Sequence, residues 1–284
     1  MTNSLKHWLA SARKRLEQAG SDSARTDAEV LASFVLKRNR AWLYAFDDYL
    51  LTPQEHGQLE QWLTQREQGH PIAYLVGERE FWSLRLNTNS STLIPRPDTE
   101  TLVEWALELP LLANAEVLDL GTGTGAIALA LASEQPSWQV QGVDFNPKAV
   151  HLAQANAQLN QLNQVRFYPS NWFEKVQGRF DLIVSNPPYI DEQDPHLSQG
   201  DVRFEPLTAL VAKQQGLSDL IHIIDQAPNY LKNQGWLLLE HGYQQAEQVQ
   251  HLLLAKGYSQ VATRHDLSGN PRITSGQWLA PQFC

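Results

Sequence analysis

Cysteine is almost absent from the 284 residues: a single one, Cys284, ends the chain. It allows no internal disulfide and no cysteine-based zinc site, a pattern that suits a reducing compartment. Long apolar runs are missing too. The longer ones, such as Ala126–Ala132 and Trp236–Leu239, fall far short of the ~20 residues a membrane span needs. The N-terminus, Met1-Thr-Asn-Ser-Leu-Lys-His-Trp, has no basic region followed by an apolar stretch, so it does not read as a secretory signal. Basic charge is in deficit. The 22 Lys and Arg face 31 Asp and Glu, a formal net charge of −9, which argues against a protein built to grip a long stretch of phosphate backbone. The nine histidines, His7, His151, His241 and His265 among them, are scattered without metal-like spacing. These absences describe a cytoplasmic protein that holds no metal, enters no membrane and grips no long nucleic acid.

What is present is ample apolar surface. Hydrophobic residues make up 42% of the chain, with nine Trp, eight Tyr and nine Phe, which excludes whole-chain disorder. Residues 1–76 read as a small helical domain. Leu5, Trp8, Leu9, Ala12 and Leu16 fall on one helix face, as do Ala24, Ala28, Leu31 and Val35. Leu59, Trp62 and Leu63 form a third stripe after Thr52-Pro53, a cap followed by a first-turn proline. Residues 77–94 read as a hairpin or extended linker built on Glu80–Leu86, and Pro95–Glu100 as a helix start.

From residue 95 to 284 the pattern becomes that of one catalytic domain. Apolar strand segments at Val117-Leu118, Val140–Val143, Val165–Tyr168, Leu182–Val184 and Trp236–Leu239 alternate with helical stripes at Ile127–Ala132, Ala149–Leu159, Leu217–Ile224 and Ala246–Leu253. Such alternation specifies an α/β fold with a doubly wound, mostly parallel sheet.

Two segments carry chemistry. After the first strand, Gly121-Thr122-Gly123-Thr124-Gly125 opens a helix. Its G-x-G-x-G spacing differs from the dinucleotide fingerprint and lacks the Gly-Lys-Ser/Thr of a nucleotide triphosphate loop. Asp144, at the end of the second strand, can accept hydrogen bonds from a ribose diol or cap the helix that follows Pro147. Asp119 either orients the loop amides or meets a ligand's amino group.

The second segment is Phe180–Ser185 running straight into Asn186-Pro187-Pro188-Tyr189. A parallel sheet delivers Asn186 to the same edge as the glycine loop. The prolines remove two N–H donors and leave rigid carbonyl acceptors. An Asn186 side-chain oxygen and a Pro187 carbonyl suit the two hydrogens of a planar NH₂ group, with Tyr189 against its plane. Fixed acceptors there favour the positive charge that builds as the nitrogen attacks.

These segments resemble the class I S-adenosylmethionine-dependent methyltransferases that act on exocyclic or amide nitrogens. Together with the helical N-terminal domain, Ile94–Glu100 and Arg203-Phe-Glu-Pro206, they are most similar to the protein glutamine-N5 methyltransferases that modify peptide-chain release factors. The resemblance implies a Rossmann-like catalytic domain preceded by an all-α domain, with S-adenosyl-L-methionine as methyl donor. It implies that Gly121, Thr122, Gly123, Thr124 and Gly125 line the donor, that Asp144 holds its ribose, and that Trp172 lies near its adenine. Asn186 would sit beside the methyl group, and Asn186, Pro187, Pro188 and Tyr189 would hold the glutamine of a Gly-Gly-Gln loop. The partner is then a release factor, gripped elsewhere by the helical domain, and the enzyme is expected to be a monomer. Asn171 stands where relatives often carry an acid.

Other residues read as structural. Glu240-His241 is expected to be a solvated strand end. Arg96, Arg203 and Glu205 either orient substrate or lock a loop. Two rival functions remain at this level: a DNA or RNA base-amino methyltransferase, which uses a related Asn/Asp-Pro-Pro-aromatic motif, and a non-catalytic cofactor-binding regulator.

Overall fold

The computed structural model describes residues 3–280; Cys284 lies outside them. The chain divides into two compact units, one running to Glu78 and including Ser198–Phe204, the other formed by Arg79–Leu197 and the residues from Glu205 onward. No helix among the described residues is long and apolar enough to cross a membrane.

The first unit is helical: α1 (Leu5–Gln18), α2 (Ala24–Leu36), α3 (Arg40–Ala45), α4 (Pro53–Glu67) and α5 (Ile72–Val76). Leu5, Trp8, Ala12 and Leu16 are the buried stripe of α1 and pack with Leu31, Leu43, Leu59 and Leu63. Helix α4 starts on a capping box in which Thr52 and Glu55 satisfy each other's backbone N–H, with Pro53 in the first turn. The Ser198–Phe204 segment is tied to α4 by Arg66, whose guanidinium reaches Asp27 at 2.8 Å and Asp201 at 2.7 Å. Phe204 packs on the His70 ring. Helices α3 and α5 are too short for a hydrophobic period to reveal. Asn39, which accepts the Trp42 N–H, marks the start of α3.

The second unit begins within a hairpin whose strand β1 (Glu78–Phe81), its first residue being the last of the first unit, pairs with β2 (Leu84–Asn87). Its two-residue turn puts Trp82 and Ser83 at positive φ, as a tight hairpin requires. Glu100 accepts the Trp82 backbone N–H and Glu134 its indole N–H. A turn at Pro97–Thr99 leads into α6 (Glu100–Glu108), and alternation then runs through β3 (Glu116–Leu120), α7 (Ala126–Glu134), β4 (Gln139–Asp144), α8 (Pro147–Leu159), β5 (Arg166–Pro169) and β6 (Phe180–Ser185). A short α9 (Lys213–Gly216), α10 (Ser218–Gln226), β7 (Leu231–Glu240), α11 (Ala246–Lys256), β8 (Ser259–His265) and β9 (Pro271–Gln277) complete it.

The seven-stranded sheet has the order β5-β4-β3-β6-β7-β9-β8. Its first five strands are parallel, while β9 runs antiparallel to both β7 and β8. Side chains alternate between two cores, as the period of two demands. Val117, Leu182, Val184 and Leu238 face the core built with α6, α7 and α8. Leu118, Leu120, Ile183, Leu237 and Leu239 face the one built with α10 and α11. Strand β7 starts well before Trp236, because its first half carries Lys232, Asn233 and Gln234, polar residues that conceal the strand in the sequence.

Candidate active site

Parallel strands bring their carboxyl ends to one edge, and ligands in open α/β sheets bind there, where the strand order reverses. In this sheet the reversal lies at β3, flanked by β4 and β6. The register sets Leu120 beside Val143 and Ser185, and Ser185 beside Leu239. The glycine loop, Asp144, Asn186 and Glu240 are therefore the next residues out along one edge.

A cavity of about 310 Å³ opens at this edge, at the lower end of the range for small-molecule sites. Gly121, Thr122, Gly123 and Thr124 form its floor, with Asp144, Trp172, Asn186 and Pro188 in its walls. Gly125, Pro187 and Tyr189 do not line it. Gly125 has φ +84 and a methyl group there would meet Phe167, Ala153 and Leu129 at 3.1–3.2 Å, so this glycine serves helix–sheet packing. Pro187 is buried, and Tyr189 turns its hydroxyl to Glu240 at 3.1 Å.

Asp119 is fully buried on β3. Its Oδ2 accepts the Thr122 hydroxyl at 2.6 Å and the Ala128 N–H at 3.3 Å, so it orients the loop and the first turn of α7. Among the described residues Oδ1 has no hydrogen-bond partner, and burial pushes the carboxyl up to about 7. Asp144 accepts Gly123 N–H through Oδ2 at 3.0 Å and Asn146 N–H through Oδ1 at 2.9 Å. Burial raises its pKa as well, against those two hydrogen bonds. It does not cap α8: Asn146 does, by accepting the Lys148 N–H. Each Asp144 oxygen keeps a second lone pair for a ligand.

Aromatic faces complete the chamber. Gly121 sits at φ +70, a conformation that a residue with a side chain rarely adopts, and a methyl group there would stand 3.6 Å from the Trp172 ring, in ordinary contact with it. Phe145 lines the cavity while 56% exposed; an apolar ring left in water beside a concave site suits a planar ligand. The sequence reading missed Phe145, although its place directly after Asp144 was the available signal. It also missed Ser91, Thr92 and Leu93 as part of the wall, which continues through Arg96 and Thr99 of the Ile94–Glu100 motif.

Arg96 and Glu205 are paired, and Glu205 Oε2 also accepts the Ile94 N–H at 3.0 Å. This buried acid locks the loop that forms the wall. Arg203 belongs to the first unit, where its Nε donates to the Gly200 carbonyl at 3.0 Å and its guanidinium lies over Phe204. Glu240-His241 corrects the expectation of a solvated strand end: the two are 1% and 0% exposed. The end of β7 is an interior position, paired with β9 at Glu240–Ile273 and closed by Tyr189. Burial pushes His241 down to about 4, and the neutral ring meets Thr274 Oγ1 at 2.7 Å and the Gly242 carbonyl at 2.9 Å.

Residues 98–201 match the family model of the methyltransferase small domain, and residues 7–77 that of the PrmC N-terminal domain. The chain is similar in fold to the crystal structure of a methyltransferase from Pyrococcus furiosus, with a TM-score of 0.52 at 18% identity over 68% of this chain and 88% of that one. Among curated proteins, the release factor glutamine methyltransferase of Yersinia pestis is 55% identical over 96% of this chain and 98% of its own length. That of Escherichia coli (strain K12) is 52% identical over 96% and 98%, and that of Vibrio cholerae 50% over 95% of each. Identity at this level, sustained from the helical unit through the sheet, means that the chain belongs to the release factor glutamine methyltransferase family.

Proposed function

We propose that this protein transfers a methyl group from S-adenosylmethionine to the side-chain nitrogen of the glutamine in the Gly-Gly-Gln loop of peptide-chain release factors. The observation that carries the reading is that the glycine loop and Asn186-Pro-Pro-Tyr189 share one cavity, through Gly121–Thr124 on one side and Asn186 and Pro188 on the other.

The residues fit the donor. The spare lone pairs of Asp144 suit a ribose diol, and the faces of Trp172 and Phe145 suit an adenine ring. S-adenosylmethionine, when bound, supplies an electrophilic methyl group on a sulfonium centre.

The remaining work falls to the turn after β6. Asn186 Nδ2 already donates to Thr99 Oγ1 at 3.2 Å, so Oδ1 is the atom left to accept a substrate N–H. The Pro187 carbonyl, outside the cavity lining, serves as the second acceptor only if the incoming amide reaches past that lining to the turn, and Tyr189 stiffens the turn through Glu240. An amide nitrogen is a poor nucleophile because its lone pair is delocalised into the carbonyl. Two fixed acceptors stabilise the positive charge it gains on attack more than they stabilise the resting amide. Holding the nitrogen in line with the methyl carbon contributes by positioning, worth roughly 7–11 kcal/mol in favourable cases.

In this reading the helical domain grips a second part of the release factor, and the enzyme acts as a cytoplasmic monomer. The test incubates the full chain and S-adenosylmethionine with a release factor, and separately with DNA and RNA, and locates the methyl group by mass spectrometry. A methylated Gly-Gly-Gln glutamine is expected. Methylated bases with an unmodified release factor would transfer the assignment to nucleic acid. Donor binding without any product would make the protein a regulator.

A further inference from the structure

Asp219, in the first turn of α10, lines the cavity together with Thr208 and Ala209, yet takes no part in the chemistry proposed above. It is half-buried, and among the described residues no hydrogen bond or ion pair engages its carboxylate. Burial raises its pKa, and the charge of His222 along the same helix lowers it. A carboxylate partly withdrawn from water and left without a donor is short of hydrogen bonds.

Its place in the fold separates it from the donor side. The glycine loop, Asp144 and Trp172 follow β3, β4 and β5, whereas Thr208, Ala209 and Asp219 lie in the connection from β6 to β7. That connection is fastened to the turn that carries Asn186. Ile190, directly after the turn, pairs with Val211. Gln245 Nε2 donates to the Tyr189 carbonyl at 3.0 Å and to the Gln215 carbonyl at 3.2 Å. Gly216 packs so closely that a methyl group on it would collide with the Tyr189 carbonyl. The backbone is strained to reach this position: Gln214, Gln215 and Gly216 take φ of +56, +58 and +81 in succession, and the two glutamines carry side chains that disfavour left-handed geometry. Such strain persists only where surrounding contacts impose it. What they impose here is the start of α10 against the turn, so Asp219 is set from the Asn186 side of the cavity.

The chemistry of its occupant follows. An ionised carboxylate accepts hydrogen bonds and donates none. The two glycines of a Gly-Gly-Gln loop have no side chains, so the only donors they bring are peptide N–H groups. We infer that Asp219 is a substrate-binding residue that accepts a backbone N–H of the Gly-Gly-Gln loop while the glutamine amide lies at Asn186. The inference rests on the reading of the substrate as a release factor and names the group that takes its main chain. Held by its main chain as well as by its amide, the glutamine is fixed at two points. The main-chain contact is remote from the reacting nitrogen and equal in ground and transition states, so it governs KM rather than kcat.

The test measures steady-state turnover of a release factor, and the Kd for S-adenosylmethionine by titration calorimetry, in the wild type, Asp219→Ala and Asp219→Asn. In Asp219→Ala, KM for the release factor should rise about 10-fold, equivalent to about 1.4 kcal/mol, while kcat at saturation and the donor Kd stay close to wild type. Asp219→Asn keeps an oxygen acceptor and should recover most of the loss. A merely structural residue would lower kcat and donor affinity together, which overturns the inference. So does an unchanged KM in Asp219→Ala, and so does a weakened donor Kd with the release-factor KM intact, which assigns the carboxylate to the donor. If Asp219→Asn is as impaired as Asp219→Ala, the negative charge is what binds, the occupant is a cationic side chain of the substrate, and the backbone assignment falls. A wild-type enzyme that leaves the release factor unmodified overturns the functional reading and this inference together. One that methylates it, with Asp219→Ala unaffected, overturns this inference alone.

Discussion

The Asp144 carboxylate accepts the backbone N–H of Gly123 at 3.0 Å, so the acid that closes β4 also fixes the glycine loop that follows β3. One oxygen is thereby committed to the loop and the other to Asn146, and any ribose contact uses the lone pairs that remain. Asp144→Asn replaces one acceptor with an NH₂ group that must face either a backbone N–H or the ligand. We expect the Kd for S-adenosylmethionine, measured by titration calorimetry, to rise about 10- to 100-fold, equivalent to about 1.4–2.7 kcal/mol. An unchanged Kd would remove Asp144 from the donor site.

Gly125 tests the division of labour within the loop. Its φ of +84 costs a residue with a side chain about 1–2 kcal/mol, and a methyl group there meets three side chains at 3.1–3.2 Å, which adds about 1–3 kcal/mol of overpacking. Gly125→Ala should therefore destabilise the fold in chemical denaturation while the donor Kd moves less than in Asp144→Asn. The opposite outcome, full stability with lost donor affinity, would place Gly125 at the ligand.

The sheet was legible because its apolar strands read directly from sequence. Val117-Leu118 and Leu182–Val184 lie at the centre, buried on both faces, and need no polar alternation, while Val140–Val143 beside the edge strand is interrupted only by the half-buried Gln141. Asn186 and Asp144 were legible for the same reason: a polar residue at the end of such a strand has only one edge of the sheet to occupy. Glu240 ends a strand in just that way, yet its neighbour His241 and the polar first half of β7 made the segment look exposed. What the sequence could not show was β9 pairing alongside it. Arg96 and Glu205 are 109 residues apart and their pairing is equally non-local.

Asp119 gives the pH behaviour. Burial raises its pKa from 3.8 to about 7, so the folded chain binds this proton more tightly than the unfolded chain does. Its contribution to stability is complete below the unfolded value and is lost as pH rises from about 4 to about 7. Asp119→Asn keeps an oxygen for Thr122 and Ala128 and has no proton to lose. The Tm of the variant relative to wild type should increase as pH is raised from 4 to 8. Glu240, raised in the same direction, and His241, lowered, are present in both proteins and cancel in the difference. A Tm difference that stays flat across this range would mean that Asp119 is not held in the way its burial implies.

Asn186 separates binding from chemistry most sharply. Its side chain lines the cavity and is anchored to Thr99, while in the proposed reading the glycine loop, Asp144 and Trp172 supply the contacts to the donor. In the proposed reading Asn186→Ala removes an acceptor whose value grows as the substrate nitrogen becomes positive, so the loss belongs to kcat. Turnover of a release factor should fall by at least about 100-fold, the cost of removing a single preorganised hydrogen-bonding group from a transition state. The donor Kd should remain within a few-fold of wild type, because the proposed donor contacts lie mainly in the glycine loop, Asp144 and Trp172. If Asn186→Ala instead weakens donor binding and leaves kcat intact at saturation, the side chain belongs to the donor site, and the two acceptors for the substrate amide must be sought elsewhere on the turn.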